Sequence, residues 1–143
     1  MSSTAVADFQ ALSDSATFNR WAEFQVREAA DGESELVMPW RAGEMGQYAG
    51  FLHAGLVAAL LDTACGLAAA SLVGRVLAAQ FSMNCLAPAR GHTFTARGHV
   101  VKAGRTLVFT TGELFAHGDD SNVKLVATAS TLLVPVVDPP ATS

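Results

Sequence analysis

Among the residues of this chain that could do chemistry, Asp62 stands out by its setting, because Leu60 and Leu61 precede it and Ala64, Cys65 and Gly66 follow. A carboxylate in such a run is unfavourable unless it is paired or put to use. On spacing alone two readings stay open: a working acid, or an aspartate that bonds a neighbouring hydroxyl such as Thr63 or reaches solvent. His53, nine residues earlier, titrates near neutrality and invites a catalytic reading. Its place at the entrance of the same run favours a loop anchor acting through the ring nitrogens. His92, His99 and His117 fall in strands or turns. With Cys65 and Cys85 far apart and no CxxC pattern, no ligand cluster of zinc-site spacing exists and no metal is expected. The two cysteines are expected to be reduced core residues.

The elements that must position these residues follow from the hydrophobic period. Ala22, Phe24 and Val26 alternate with polar neighbours, as do Leu36, Met38 and Trp40 beyond the turn Ala30-Asp31-Gly32, which predicts a hairpin. A glycine-containing loop from Gly43 to Phe51 carries Gln47. From Ala54 to Leu72 the pattern becomes helical, rich in alanine and leucine and free of proline, with Gly74 just past its end. Alternation then resumes. Leu77, Ala79, Phe81, Met83 and Cys85 mark one strand, and Phe94, Ala96, Gly98 and Val100 the next. After the turn Lys102-Ala103-Gly104-Arg105, Leu107, Phe109 and Thr111 begin a further strand, and Val123 to Val134 is the last. About six strands and one long helix, apolar on several sides, predict an α+β fold in which a curved antiparallel sheet wraps the helix. The expected layout is an N-terminal segment over 1–20, a single domain over 21–137 and a flexible tail over 138–143, with Phe9 to Trp21 adding a turn of helix at the edge.

On a helical wheel, Gly55, Ala58, Ala59, Cys65, Gly66 and Ala69 surround Asp62, while Val57, Leu60, Ala64 and Leu67 lie opposite. The Asp62 face is therefore built of small residues, which lets another backbone approach. At the start of the helix, the amides of Ala54 and Gly55 have no partner within it and sit at the positive end of its dipole. They could hold a carbonyl oxygen that gains charge. Ala54 and Asp62 are, however, about 12 Å apart along the axis. Two antiparallel helices about a two-fold axis would bring the amides of one chain to Asp62 of the other, so a homodimer with shared sites is expected.

Composition narrows the function classes. The 143 residues form one domain, half of them hydrophobic and 15% charged, with net charge -4. That balance argues against nucleic acid as the main partner. The N-terminal stretch shows no basic and apolar leader, and no apolar run is expected to span a bilayer. A cytoplasmic protein with no membrane partner is the expectation.

The run Gly50-Phe51-Leu52-His53-Ala54-Gly55, followed by Leu60-Leu61-Asp62-Thr63-Ala64, resembles the G-x-x-H-G-G…L-x-D-x-A signature of PaaI-type hotdog-fold acyl-CoA thioesterases. Leu86-Ala87-Pro88-Ala89-Arg90-Gly91 and Val100-Val101-Lys102-Ala103-Gly104-Arg105-Thr106-Leu107 extend the resemblance in order, over roughly residues 22 to 134. It implies hydrolysis of an acyl-CoA to acid and CoA without a cofactor, in a homodimer that pairs into a tetramer. By resemblance Asp62 is the nucleophile or general base, Ala54 and Gly55 supply the carbonyl-binding amides, and Gln47 stands where relatives carry an asparagine. His53 falls at the substrate-binding entrance. Arg90, Lys102 and Arg105 are the candidates for the phosphates of CoA. Alanine replaces the first glycine of the signature, and Gln47 is one methylene longer than asparagine. The hydroxyl that assists the acid in some relatives is absent near Ala78 and Ala79, with Ser82 as a substitute. Two further classes fit the same fold, a dehydratase or hydratase and a non-catalytic acyl-CoA-binding module.

Overall fold

The computed structural model describes residues 3–137; the expected tail over 138–143 lies outside them. Two helices, α1 (Ser3–Asp14) and α2 (Thr17–Ala22), precede strands β1 (Gln25–Ala30) and β2 (Glu33–Pro39). The long helix α3 (Ala54–Val73) follows, then β3 (Val76–Cys85), β4 (Thr93–Ala103), β5 (Val108–His117) and β6 (Val123–Pro135). All strand pairs are antiparallel, in the order β1-β2-β4-β5-β6-β3. The sheet curves around α3, which touches every strand. This is the wrapped α+β architecture that the sequence predicts. The N-terminal segment holds two helices rather than one turn, and the expected domain start at residue 21 falls inside α2.

Local chemistry explains the frame. Asp31 and Gly32 both have positive φ, 53° and 81°, the pairing that a tight two-residue hairpin turn requires. The Gly32 amide donates to Ser71 Oγ at 2.8 Å, which ties this turn to the end of α3. Gly74 ends the helix at φ 80°, its amide returning to the Ala70 carbonyl.

Midway along α3 the sheet comes close. A Cβ on Gly98 would lie 2.3 Å from the Ala64 carbonyl oxygen, so only glycine fits there. Ser34, the cross-strand partner of Gly98, donates its buried hydroxyl to that same oxygen at 2.6 Å. Because Ala64 is two residues past Asp62, this contact fixes where Asp62 stands relative to the sheet.

Two expectations are corrected here. Strand β5 turns Val108, Thr110, Gly112, Leu114 and Ala116 inward, not Leu107, Phe109 and Thr111. The helix lies so close at Gly112, whose Cβ would meet Leu61 and Cys65, that bulky side chains must face out. Secondly, α3 is long and apolar enough to cross a membrane by length and composition, with Asp62 its one charge; half of that apolar stretch is buried within the fold.

The two sheet edges differ. Along β1, Gln10 of α1 donates its amide to the Phe24 carbonyl at 2.9 Å and accepts the Val26 amide at 2.7 Å, as a neighbouring strand would. Strand β3 is the other edge, with no strand beyond it among the described residues, and most of its residues, Leu77 at 68% among them, are exposed. An uncovered edge of ten residues is a template for pairing with another chain.

Candidate active site

The N-terminus of α3 is capped by its own histidine. His53 has extended backbone angles, φ -60° and ψ 136°, and its Nδ1 accepts the Gly55 amide at 2.8 Å. The proton of the neutral ring therefore belongs on Nε2. The amides of Leu56 and Val57 return to the His53 carbonyl. His53 is thus the anchor its position suggested, and it occupies one of the two amides expected to bind a carbonyl. The Ala54 amide has no hydrogen-bond partner among the described residues.

Ala54 lines a cleft of about 560 Å³ together with Gln47, Phe51, Cys85 and Pro88. Gln47 is held by its own loop, its Oε1 accepting the Ala49 and Phe51 amides. That leaves its Nε2 as the end able to donate. The loop itself is fastened by the Leu52 amide to the Ala89 carbonyl at 3.0 Å and the His53 amide to Met45 at 2.9 Å. Cys85 is exposed at the end of the uncovered edge strand, which corrects its expected core position; Cys65 is buried as expected.

Asp62 opens instead into a second cleft, of about 410 Å³, beside Thr63, Gly66 and Ala70 of α3, Asn19 of α2 and Ala78 of β3. The side chain is accessible in the single chain, and no hydrogen bond or ion pair holds it among the described residues, to Thr63 or to any other group. Its carboxyl is nevertheless pushed above the usual range, because the surrounding protein strips part of its water shell. Ala78 stands on that cleft wall and Ser82 does not. The accessible face of α3 around Asp62 comprises Gly55, Ala58, Ala59, Thr63, Gly66 and Ala70. Cys65 and Ala69, expected on that face, are instead fully buried against Val108 and Leu133. Burial raises the Cys65 thiol, the hydroxyls of Thr110 and Thr131 oppose the rise, and the nearby Asp62 adds to it. A thiol so placed is an inert core group.

The three candidate phosphate ligands do not gather in one chain. Arg90 precedes β4, its guanidinium 5.2 Å from the Phe51 ring centroid. Lys102 and Arg105 stand at the other end of that strand, roughly 30 Å away at ordinary strand rise. A cation that the sequence reading missed, Lys124, lines a small cleft with Arg90. It is the second residue of β6, opposite Ala116, a position that carries no motif.

A helix wrapped by an antiparallel sheet, with an acid midway along it and an open amide at its start, defines a hotdog fold of the PaaI type. The chain belongs to the thioesterase superfamily, whose family model matches residues 49–122. A thioesterase family protein from Silicibacter pomeroyi is 34% identical, over 91% of this chain and 96% of its own, with a TM-score of 0.86. The Escherichia coli PaaI protein from the phenylacetic acid degradation operon shares the fold at 19% identity, over 90% of each chain and with a TM-score of 0.79. A conserved protein from Pseudomonas aeruginosa does so at 22% identity and a TM-score of 0.76, over 85% of this chain and 94% of its own. No curated protein matches. Family membership makes thioester hydrolysis the general chemistry of this chain.

Proposed function

We propose that the chain hydrolyses an acyl-CoA thioester to the free acid and CoA, with Asp62 of one chain facing the Ala54 amide of another. The observation that carries this reading is the division of the two groups. Both lie on α3, about 12 Å apart, and they open into separate clefts. One thioester carbon cannot touch both in the same chain. Antiparallel pairing of two α3 helices through the small-residue face would join them, and the open edge of β3 offers a second surface for the same dimer. Further pairing to a tetramer is compatible with this arrangement.

In the joined site the Ala54 amide donates to the thioester carbonyl oxygen, aided by the dipole of α3. Gln47, on the same cleft, holds the carbonyl or the attacking water through its Nε2. Asp62 either takes a proton from water as that water attacks the carbonyl carbon, or attacks that carbon itself to form an anhydride which water then opens. In both routes the carbon–sulfur bond breaks and CoA leaves as a thiolate that is then protonated. The chemistry needs neither metal nor cofactor. A dehydratase would need a histidine beside the acid in the joined site, whereas the His53 ring caps the helix start and lines the cleft of Glu44 and Gly55, not the cleft of Ala54 and Gln47 that would meet the partner's acid.

A panel of acyl-CoAs assayed with a thiol reagent tests the reading on wild type and Asp62→Asn. Thiol release by wild type, reduced about 10²–10⁴-fold in the variant, is expected. An Asp62→Asn protein that is folded and equally active would refute the assignment. Absorbance at a new acyl double bond would indicate a lyase, and binding without turnover a carrier module.

A further inference from the structure

We propose that Lys124 and Arg90 form the seat for the phosphate-bearing end of the thiol carrier, on the same subunit whose Ala54 amide meets the thioester. This rests on the thioesterase reading and adds to it a residue and a direction for the substrate. The cleft shared by Lys124 and Arg90, about 300 Å³, is completed by Asn122 and Gly118. Phe51 and Pro88 line both this cleft and the one that holds Ala54 and Gln47. The two are thus neighbours on either side of Phe51 and Pro88, an apolar ridge that suits the uncharged pantetheine arm.

The charges are available. Neither Arg90 nor Lys124 takes part in an ion pair among the described residues, whereas Arg41 and Arg97 do. Of the two acids in the loop between Gly118 and Asn122, Asp119 is engaged by His92 at 2.5 Å. Arg90 is steadied over the Phe51 ring, and Phe51 belongs to the loop that is closed by Gln47 and leads directly into Ala54. A planar guanidinium and a point-charge ammonium on one cleft suit a phosphate oxygen set. In a protein of net charge -4, such a pair is a local exception.

Kinetics with the same acyl group on three carriers test this: CoA, 4′-phosphopantetheine, and N-acetylcysteamine, which has no phosphate. For Lys124→Glu the KM for acyl-CoA should rise about tenfold or more, with kcat changed little and the N-acetylcysteamine thioester unaffected. Lys124→Arg should restore the wild-type KM, and Arg27→Glu on β1 should match wild type throughout. A rise that persists on phosphopantetheine places the 4′-phosphate in the seat, and one confined to CoA places the nucleotide phosphates there; both support the proposal. An unchanged KM for acyl-CoA in Lys124→Glu, or an equal rise on all three carriers, would overturn it. Should wild type release no thiol at all, the thioesterase reading fails, and calorimetry with CoA alone still decides the seat: weaker binding by Lys124→Glu supports it, equal binding overturns it.

Discussion

The carboxyl of Asp62 has no hydrogen-bond partner among the described residues of its own chain, and its partial desolvation favours the neutral form. Its folded pKa lies above the ordinary value of 3.8. In the window between the two, the folded chain binds more protons than the unfolded one, so stability falls as pH rises through it. Asp62→Asn should therefore melt at or above the wild-type temperature at pH 7, and the difference should close as the pH drops below 3.8. Thermal melts across that range check the sign, and the acid limb of kcat/KM should likewise sit above the usual carboxylate range. The Ala54 amide offers a complementary substitution. Ala54 is the first residue of α3 and follows an extended His53, a setting in which proline is tolerated. Ala54→Pro should remove the donor, lower kcat by about 10²–10³, and leave the denaturation midpoint nearly unchanged.

At the scale of elements, the position of α3 in the sheet depends on Gly98, Ser34 and the Ala64 carbonyl. Gly98→Ala forces a Cβ to within 2.3 Å of that oxygen, so the helix or the strand must shift; urea denaturation should show a loss of about 1–3 kcal/mol. The same close approach explains which parts of the fold were legible in the sequence. Helix α3 announced itself through its composition and its glycine stop, and the hairpin through Asp31-Gly32. The inward face of β5 did not, because crowding against α3 places Thr110 and Gly112 inside and leaves Phe109 outside, inverting the usual hydrophobic pattern. The relative placement of His53, Ala54 and Asp62 was legible because one helix and its cap fix their spacing. Cations on strand ends carry no such ruler: Arg90 and Lys102, in two successive motif runs and grouped as phosphate candidates, lie at opposite ends of β4, whereas Lys124, distant in sequence, shares a cleft with Arg90.

For the whole molecule, the uncovered β3 edge and the small-residue face of α3 are the two surfaces available to the proposed dimer, while Gln10 closes the opposite edge. Gly66 separates folding from assembly, since among the described residues nothing beyond its own stretch of helix lies within 4 Å of where its Cβ would be. Gly66→Leu should therefore fold, with helix propensity improved by about 0.5–1 kcal/mol. It should sediment as a monomer without thioesterase activity; a dimeric Gly66→Leu protein would show that the α3 faces do not meet. The shared site itself is tested most directly by mixing subunits. Asp62→Asn and Ala54→Pro each disable every site in their own homodimers. Unfolded together and refolded in equal amounts, they should form mixed dimers with one intact site, giving about a quarter of wild-type activity for random pairing. Activity no greater than that of the separate variants, in a preparation shown to contain mixed dimers, would contradict a catalytic site built from two chains.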